Sequence, residues 1–208
     1  MNHRDLSSLG AGFSNEALGS QAVFRTALQA LSHPGRVLEI AHDAQAPSQG
    51  HTASAALLLS MLDADSTLWL SPALAASDAA LWLHFHTGCQ IVSDVSLAQF
   101  AWIGQGDVMP ALASLAQGSD AYPDQSATCV IDLDFLSNAE QPQGTWLLSG
   151  PGIQSEQTLS VYGLAADFLA QWAANHAGFP RGVDLFLAAQ NHIAGLPRTT
   201  SITLQGGH

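Results

Sequence analysis

Ala127-Thr128-Cys129-Val130-Ile131-Asp132-Leu133 is a short apolar run carrying three β-branched residues, and it reads as a buried strand. Thr145-Trp146-Leu147-Leu148-Ser149, closed by Gly150, reads the same way. After these strands the period changes. Leu164, Phe168 and Trp172 recur at helical spacing, so Leu164 to His176 is a helix, closed by Gly178 and followed by Pro180. Downstream, Val183 to Ala189 and Thr200 to Leu204 are strands that finish the sheet. Upstream, Ser20 to Ser32 is a helix with an apolar stripe of Phe24, Leu28 and Leu31, Ala27 alongside, stopped by Pro34-Gly35. Arg36 to Ala41 is extended. Beyond a polar loop, Thr52 is the N-cap of a helix running through Leu62. Thr67 to Ser71 is a strand, Asp78 to Thr87 a helix ended by Gly88, and Gln90 to Ser93 and Gln99 to Ile103 short strands. Val108 to Gln117 is a helix with an early Pro110. This alternation defines an α/β chain, with a mixed sheet of about seven strands flanked by helices. It reads as a single domain over 1–208, of which 1–19 form an irregular N-terminal segment.

Composition removes whole classes of function. The 208 residues hold 17 Asp plus Glu against five Arg, with no Lys, for a net charge of −12. Nucleic-acid binding draws its affinity from cations that neutralise phosphates, so this balance argues against it. A Walker A loop and a protein-kinase site each need a Lys on the nucleotide phosphates, and a Ser-x-x-Lys nucleophile needs its own. Pyridoxal phosphate (PLP) is held as a Schiff base on Lys, so that cofactor is excluded too. Cys89 and Cys129 are the two cysteines, too few for a disulfide framework, which points to a reducing compartment. The longest apolar run, Ala53 to Leu62, is too short to cross a bilayer, and Met1 to Phe13 lacks an apolar signal core. The expectation is a cytoplasmic protein without membrane contact.

Several motifs admit a chemical and a plain reading. Gly150-Pro151-Gly152 follows a strand and could aim N–H groups at an anion, but position 155 is Ser where a dinucleotide loop needs Gly. A tight turn is the plainer account. His84, His86 and Cys89 are metal-type ligands, yet on a helix the two histidines point to nearly opposite sides and no fourth ligand is evident nearby, so no metal site is expected. Asp132 and Asp134 could share a face, with a solvated strand end as the plain reading. Arg25 lies on the polar side of the first helix, near Gln29 and His33. Arg198 precedes Thr199, Thr200 and Ser201, and a guanidinium beside hydroxyls suits phosphate. The alternative is pairing with one of the many carboxylates. No Gly-x-Ser-x-Gly elbow supports a serine hydrolase.

Four segments, in order, resemble one family. Phe24-Arg25-Thr26-Ala27-Leu28-Gln29-Ala30-Leu31-Ser32-His33-Pro34-Gly35 is similar to the N-terminal signature of the PhnH family, a subunit of the bacterial carbon–phosphorus lyase system. Phe85-His86-Thr87 with Ile91-Val92-Ser93 resembles its central segment. Phe179-Pro180-Arg181-Gly182-Val183-Asp184-Leu185 and Leu196-Pro197-Arg198-Thr199-Thr200 resemble its C-terminal signatures. Cys89 and Arg181 lie outside the pattern. The resemblance implies the fold of the large domain of PLP-dependent transferases without the PLP site, and so no cofactor. It implies a homodimer when isolated, assembly with PhnG, PhnI and PhnJ, and functional dependence on the ATPase-like PhnL. The implied reaction displaces adenine from ATP by a phosphonate to give ribose 1-phosphonate 5-triphosphate. It names no acid, base or nucleophile, and two readings stay open within it: a scaffold that docks a catalytic partner, which a low charge density favours, or a subunit whose Arg25, His86 and Arg198 help hold phosphate or phosphonate at a shared site. The residues to test as a ligand or partner surface are Arg25, His33, Pro34, Gly35, His86, Thr87, Gly150, Gly152, Asp184, Arg198, Thr199 and Thr200. The competing class is a stand-alone metal-dependent hydrolase, which stoichiometric zinc would reveal.

Overall fold

A computed structural model describes residues 9–204. In chain order the elements are α1 (Glu16–Ser32), β1 (Leu38–Glu39), α2 (Thr52–Met61), β2 (Thr67–Leu70), α3 (Pro72–Ala76), α4 (Ala79–Thr87), β3 (Gln90–Ile91), β4 (Phe100–Ile103), β5 (Thr128–Asp132), β6 (Phe135–Ser137), β7 (Thr145–Ser149), β8 (Gln157–Tyr162), α5 (Phe168–Ala177), β9 (Asp184–Ala189), β10 (His192–Leu196) and β11 (Ser201–Leu204). The main sheet has seven strands in the order β1-β10-β9-β5-β4-β2-β3. From β9 to β3 they run parallel, while β10 is antiparallel to both its neighbours, so the sheet is mixed. A second, antiparallel sheet has the order β11-β7-β8-β6. The single sheet expected from the sequence is therefore two, and β11 belongs to the smaller one.

Strand alternation builds three layers. Leu68, Trp102, Val130 and Phe186 point to one face and pack with α1, α2, α3 and α4. Ala101, Ile131, Leu185 and Leu187, one residue out of phase, point to the other face and pack with α5 and the small sheet. There Phe168 stacks on Trp146, ring centroids 5.6 Å apart. No helix among the described residues is long and apolar enough to cross a membrane.

The first helix departs from expectation in two ways. It begins at Glu16, capped by Asn15, whose side chain accepts the Leu18 N–H, so only part of 1–19 is irregular; residues 1–8 lie outside the described part. Its inward face is Val23, Ala27 and Ala30, while Phe24 and Leu28 are 43% and 52% exposed. The cause is a close approach. A Cβ built at Gly195 of β10 would lie 2.5 Å from the carbonyl carbon and oxygen of Ala30. Helix and strand backbones thus touch where neither has a side chain larger than methyl, and only small residues fit beneath α1.

Two further expectations are corrected. Thr52 is the first residue of α2 rather than its cap: His51 holds the cap position, and the Thr52 hydroxyl donates to the Gln190 carbonyl. Val108 to Gln117 is not an α-helix and contains one 3₁₀ turn, Leu112–Ser114. The Leu112 N–H donates to Gln171 Oε1 at 2.8 Å, and Gln117 Nε2 donates to the carbonyls of Leu112 and Leu115. Side chains there take the groups a helix would have paired internally.

Candidate functional site

The motif residues gather in separate places. In the first, three segments far apart in sequence meet behind α1. Gly35, in the left-handed region at φ 75°, donates its N–H to the Gly195 carbonyl at 3.0 Å and accepts at its own carbonyl from Asn138 Nδ2 at 2.7 Å. Pro34 is buried. A Cβ at Gly152 would strike the Ser32 carbonyl and lie 2.9 Å from Pro34 Cδ, and one at Gly150 would lie 2.8 Å from the Thr199 carbonyl oxygen. The Gly150-Pro151-Gly152 turn is thus wedged between the turn at His33-Pro34-Gly35 and the turn at Thr199-Thr200. Its glycines serve backbone contact. His33 itself stays exposed, its Nδ1 3.0 Å from Ser32 Oγ.

Arg198 and Asp184 form the second group. Arg198 Nε and one terminal nitrogen donate to the two Asp184 oxygens at 3.1 and 2.5 Å. The other terminal nitrogen donates to the carbonyls of Pro123 and Pro180 at 3.0 and 3.2 Å, and Ser126 Oγ accepts from the first at 2.5 Å. All five guanidinium N–H donors have internal acceptors. Of the two readings of Arg198, phosphate binding and pairing with a carboxylate, the structure shows the pairing. Thr200 is buried, and its carbonyl accepts from Trp172 Nε1 at 2.9 Å. His176, which the sequence did not single out, reaches the Arg198 carbonyl through Nδ1 at 2.9 Å. A carbonyl can only accept, so Nδ1 carries the proton and Nε2 faces Ser201 Oγ.

His86 and Thr87 sit elsewhere, at the end of α4, in a cleft of about 420 Å³ that also holds Glu16 and Asp63. Two carboxylates and no arginine make it unsuited to phosphate. His86 Nε2 lies 3.0 Å from the Gly10 carbonyl, and His84 Nδ1 lies 2.7 Å from the Cys89 carbonyl, so the two histidines serve different partners. Among the described residues no three His, Cys, Asp or Glu side chains converge as a ligand set. Arg25 is exposed on α1, in none of these groups.

The carboxyl ends of the parallel strands are where open α/β sheets hold ligands, with phosphate commonly on a helix N-terminus. Here those helix starts carry the chain's own carboxylates. Asp132, the last residue of β5, accepts from the His51 N–H at 3.0 Å and from Ser54 Oγ at 2.5 Å at the start of α2. Asp107 accepts from the Ala73 N–H at 3.0 Å and from Ser71 Oγ at 2.5 Å at the start of α3. With no Lys in the chain and these positions filled, the residues do not fit a Schiff-base cofactor with a phosphate group. Asp132 is 2% exposed, which corrects its reading as a solvated strand end. Asp134 is exposed and accepts from Gln105 Nε2 at 2.6 Å.

Burial pushes the Asp132 carboxyl above the ordinary carboxylate range, against the hydrogen bonds from Ser54 and His51 that favour its charge. The native state then holds this proton at pH values where the unfolded chain has released it. The associated stability is complete below the unfolded value, about pH 4, and is lost as pH rises through the raised native one, by at most about 1.4 kcal/mol per pH unit. Urea unfolding across this range is expected to show that decline in the wild type, and Asp132→Asn is expected to flatten it. Burial, with the nearby Asp184 charge, also pushes the Cys129 thiol up to about 12, and burial raises Cys89. Neither thiol should react with a disulfide reagent near pH 8 in the native protein, and both should react in denaturant.

The fold and these contacts define a three-layer α/β protein whose motif residues mostly bind one segment of the chain to another. The chain belongs to the PhnH family: residues 11–203 match the family model described as bacterial phosphonate metabolism protein (PhnH). It is 36% identical over 190 residues to alpha-D-ribose 1-methylphosphonate 5-triphosphate synthase subunit PhnH of Rhizobium meliloti (strain 1021), covering 91% of this chain and 93% of the relative. It is 34% identical over 195 residues to HtxG of Stutzerimonas stutzeri, named as a candidate C-P lyase subunit, covering 93% of this chain and 90% of the relative.

Proposed function

We propose that this chain is a subunit of the carbon–phosphorus lyase system, acting in phosphonate catabolism as an assembly component of ribose 1-methylphosphonate 5-triphosphate synthesis. The observation that carries the reading is the match from 11 to 203, with a relative at 36% identity whose name is that synthase's subunit. In this role the chain has no reaction of its own. ATP and a phosphonate exchange adenine for the phosphonate oxygen on partners, which we take to be PhnG, PhnI and PhnJ with PhnL. The spent donors of Arg198 and the carboxylates on the starts of α2 and α3 support a structural role over a phosphate-binding one. Arg25 and His33, both exposed, are the motif groups left to touch a ligand or partner. A mixed sheet with one reversed strand, and no lysine, supports descent from a PLP-transferase-like domain that carries no cofactor. The reading places the chain in the cytoplasm, homodimeric when isolated.

The test is co-expression of the tagged chain with its cognate PhnG, PhnI and PhnJ. Stoichiometric recovery of all four is expected. Recovery of the tagged chain alone would overturn the assembly role.

A further inference from the structure

The small inward face of α1 leaves its large apolar side chains outside. Leu18, Phe24 and Leu28 are 64%, 43% and 52% exposed. Phe24 and Leu28, one turn apart, form a ridge. Arg25 lies beside that ridge, and Arg36 follows the helix. No carboxylate lies within 4.0 Å of either arginine among the described residues; the two ion pairs there belong to Arg181 and Arg198. From residue 17 to residue 38 the chain has no Asp or Glu, although the whole carries −12. The outer side of α1 is thus apolar with Arg25 beside it, and the one carboxylate of the helix, Glu16, lies in its first turn, on a molecule of net charge −12.

We propose that the outer face of α1 docks into an apolar groove rimmed by carboxylates on a different subunit. The inference rests on the assembly reading above and adds the surface to it. Charge selects the occupant. A second copy packed symmetrically on α1 would bring the Arg25 side chains of two helices together, with no carboxylate between residues 17 and 38 to answer them, and would join two molecules of charge −12. A partner that supplies carboxylates around an apolar centre satisfies both features, the ridge as the buried anchor and the arginines as the charged rim. A homodimer of the isolated chain then uses another face.

The experiment compares co-purification with the remaining core subunits for the wild type, Leu28→Asp, Arg25→Glu and a control on another exposed apolar side chain, Val108→Asp. Leu28→Asp and Arg25→Glu are expected to fall at least about tenfold in recovered complex, the size of a lost anchor or rim charge, with Val108→Asp unchanged. Both α1 side chains are exposed, so unaltered thermal melting should accompany the loss. Wild-type recovery of both variants overturns the docking face and leaves the assembly role standing. Failure of the wild type to co-purify overturns the assembly role and this inference with it. Conversion of the isolated chain from dimer to monomer by Leu28→Asp assigns the face to a second copy and overturns the heterologous partner.

Discussion

Replacing Arg198 with Ala will lower the unfolding free energy by about 3 kcal/mol, the low end of the range for removing one partner of a buried, hydrogen-bonded ion pair, because this pair is part-buried. The Arg198 side chain is 11% exposed and the Asp184 side chain 25%, so water replaces little of what is lost. Asp184 would lose two charged donors, and the Pro123 and Pro180 carbonyls and Ser126 Oγ would each lose a partner. Arg198→Lys will recover only part of the stability, because one ammonium cannot span five acceptors held by a planar fork. Urea unfolding of the three proteins measures this. Wild-type stability in Arg198→Ala would mean that these contacts hold nothing together.

Gly195→Ala carries the other large effect. The added methyl would meet the Ala30 carbonyl carbon and oxygen at 2.5 Å and the Leu31 nitrogen at 2.7 Å, all of them backbone. A side chain could rotate away, but a helix backbone must move as a body. The expected cost is about 3 kcal/mol, at the upper end for an overpacked core. Ala30→Gly would not relieve it, since the clash is with main-chain atoms. Restored packing in that double variant would show that the Ala30 methyl, rather than the backbone, sets the distance.

Much of the fold was legible in the sequence for reasons these contacts explain. β7 ends where Gly150 follows it, as read, and β5 and β9 are buried on both faces, so their unbroken apolar runs were unambiguous. β6, β8 and β10 were missed: Gln157–Tyr162 is half polar and His192–Leu196 contains the very glycine that seats α1. The apolar stripe of α1 was displaced by one residue because a reading by size favours Phe24 and Leu28, whereas the space under the helix admits only Val23, Ala27 and Ala30. The helix expected at Val108 to Gln117 was lost to Gln171, which is distant in sequence and takes the Leu112 N–H. The site divides in the same manner. Residue types pointed to Gly150, Gly152 and Arg198, and the family resemblance to His33-Pro34-Gly35, but local spacing placed Arg198 with hydroxyls beside it in sequence. Its real partners are Asp184, the first residue of β9, and Ser126, Pro123 and Pro180 from two segments that precede strands. The capping roles of Asp132 and Asp107 depend on which helix starts beside which strand end, which sequence order does not reveal.

The role proposed for this chain is that of an obligatory companion without chemistry of its own. The direct measurement is adenine release from ATP with methylphosphonate, using the purified partner subunits with this chain, the partners without it, and this chain alone. Release only when all are present is the predicted result. Release by the chain alone at an ordinary enzymatic rate, or undiminished release by the partners without it, would contradict the account.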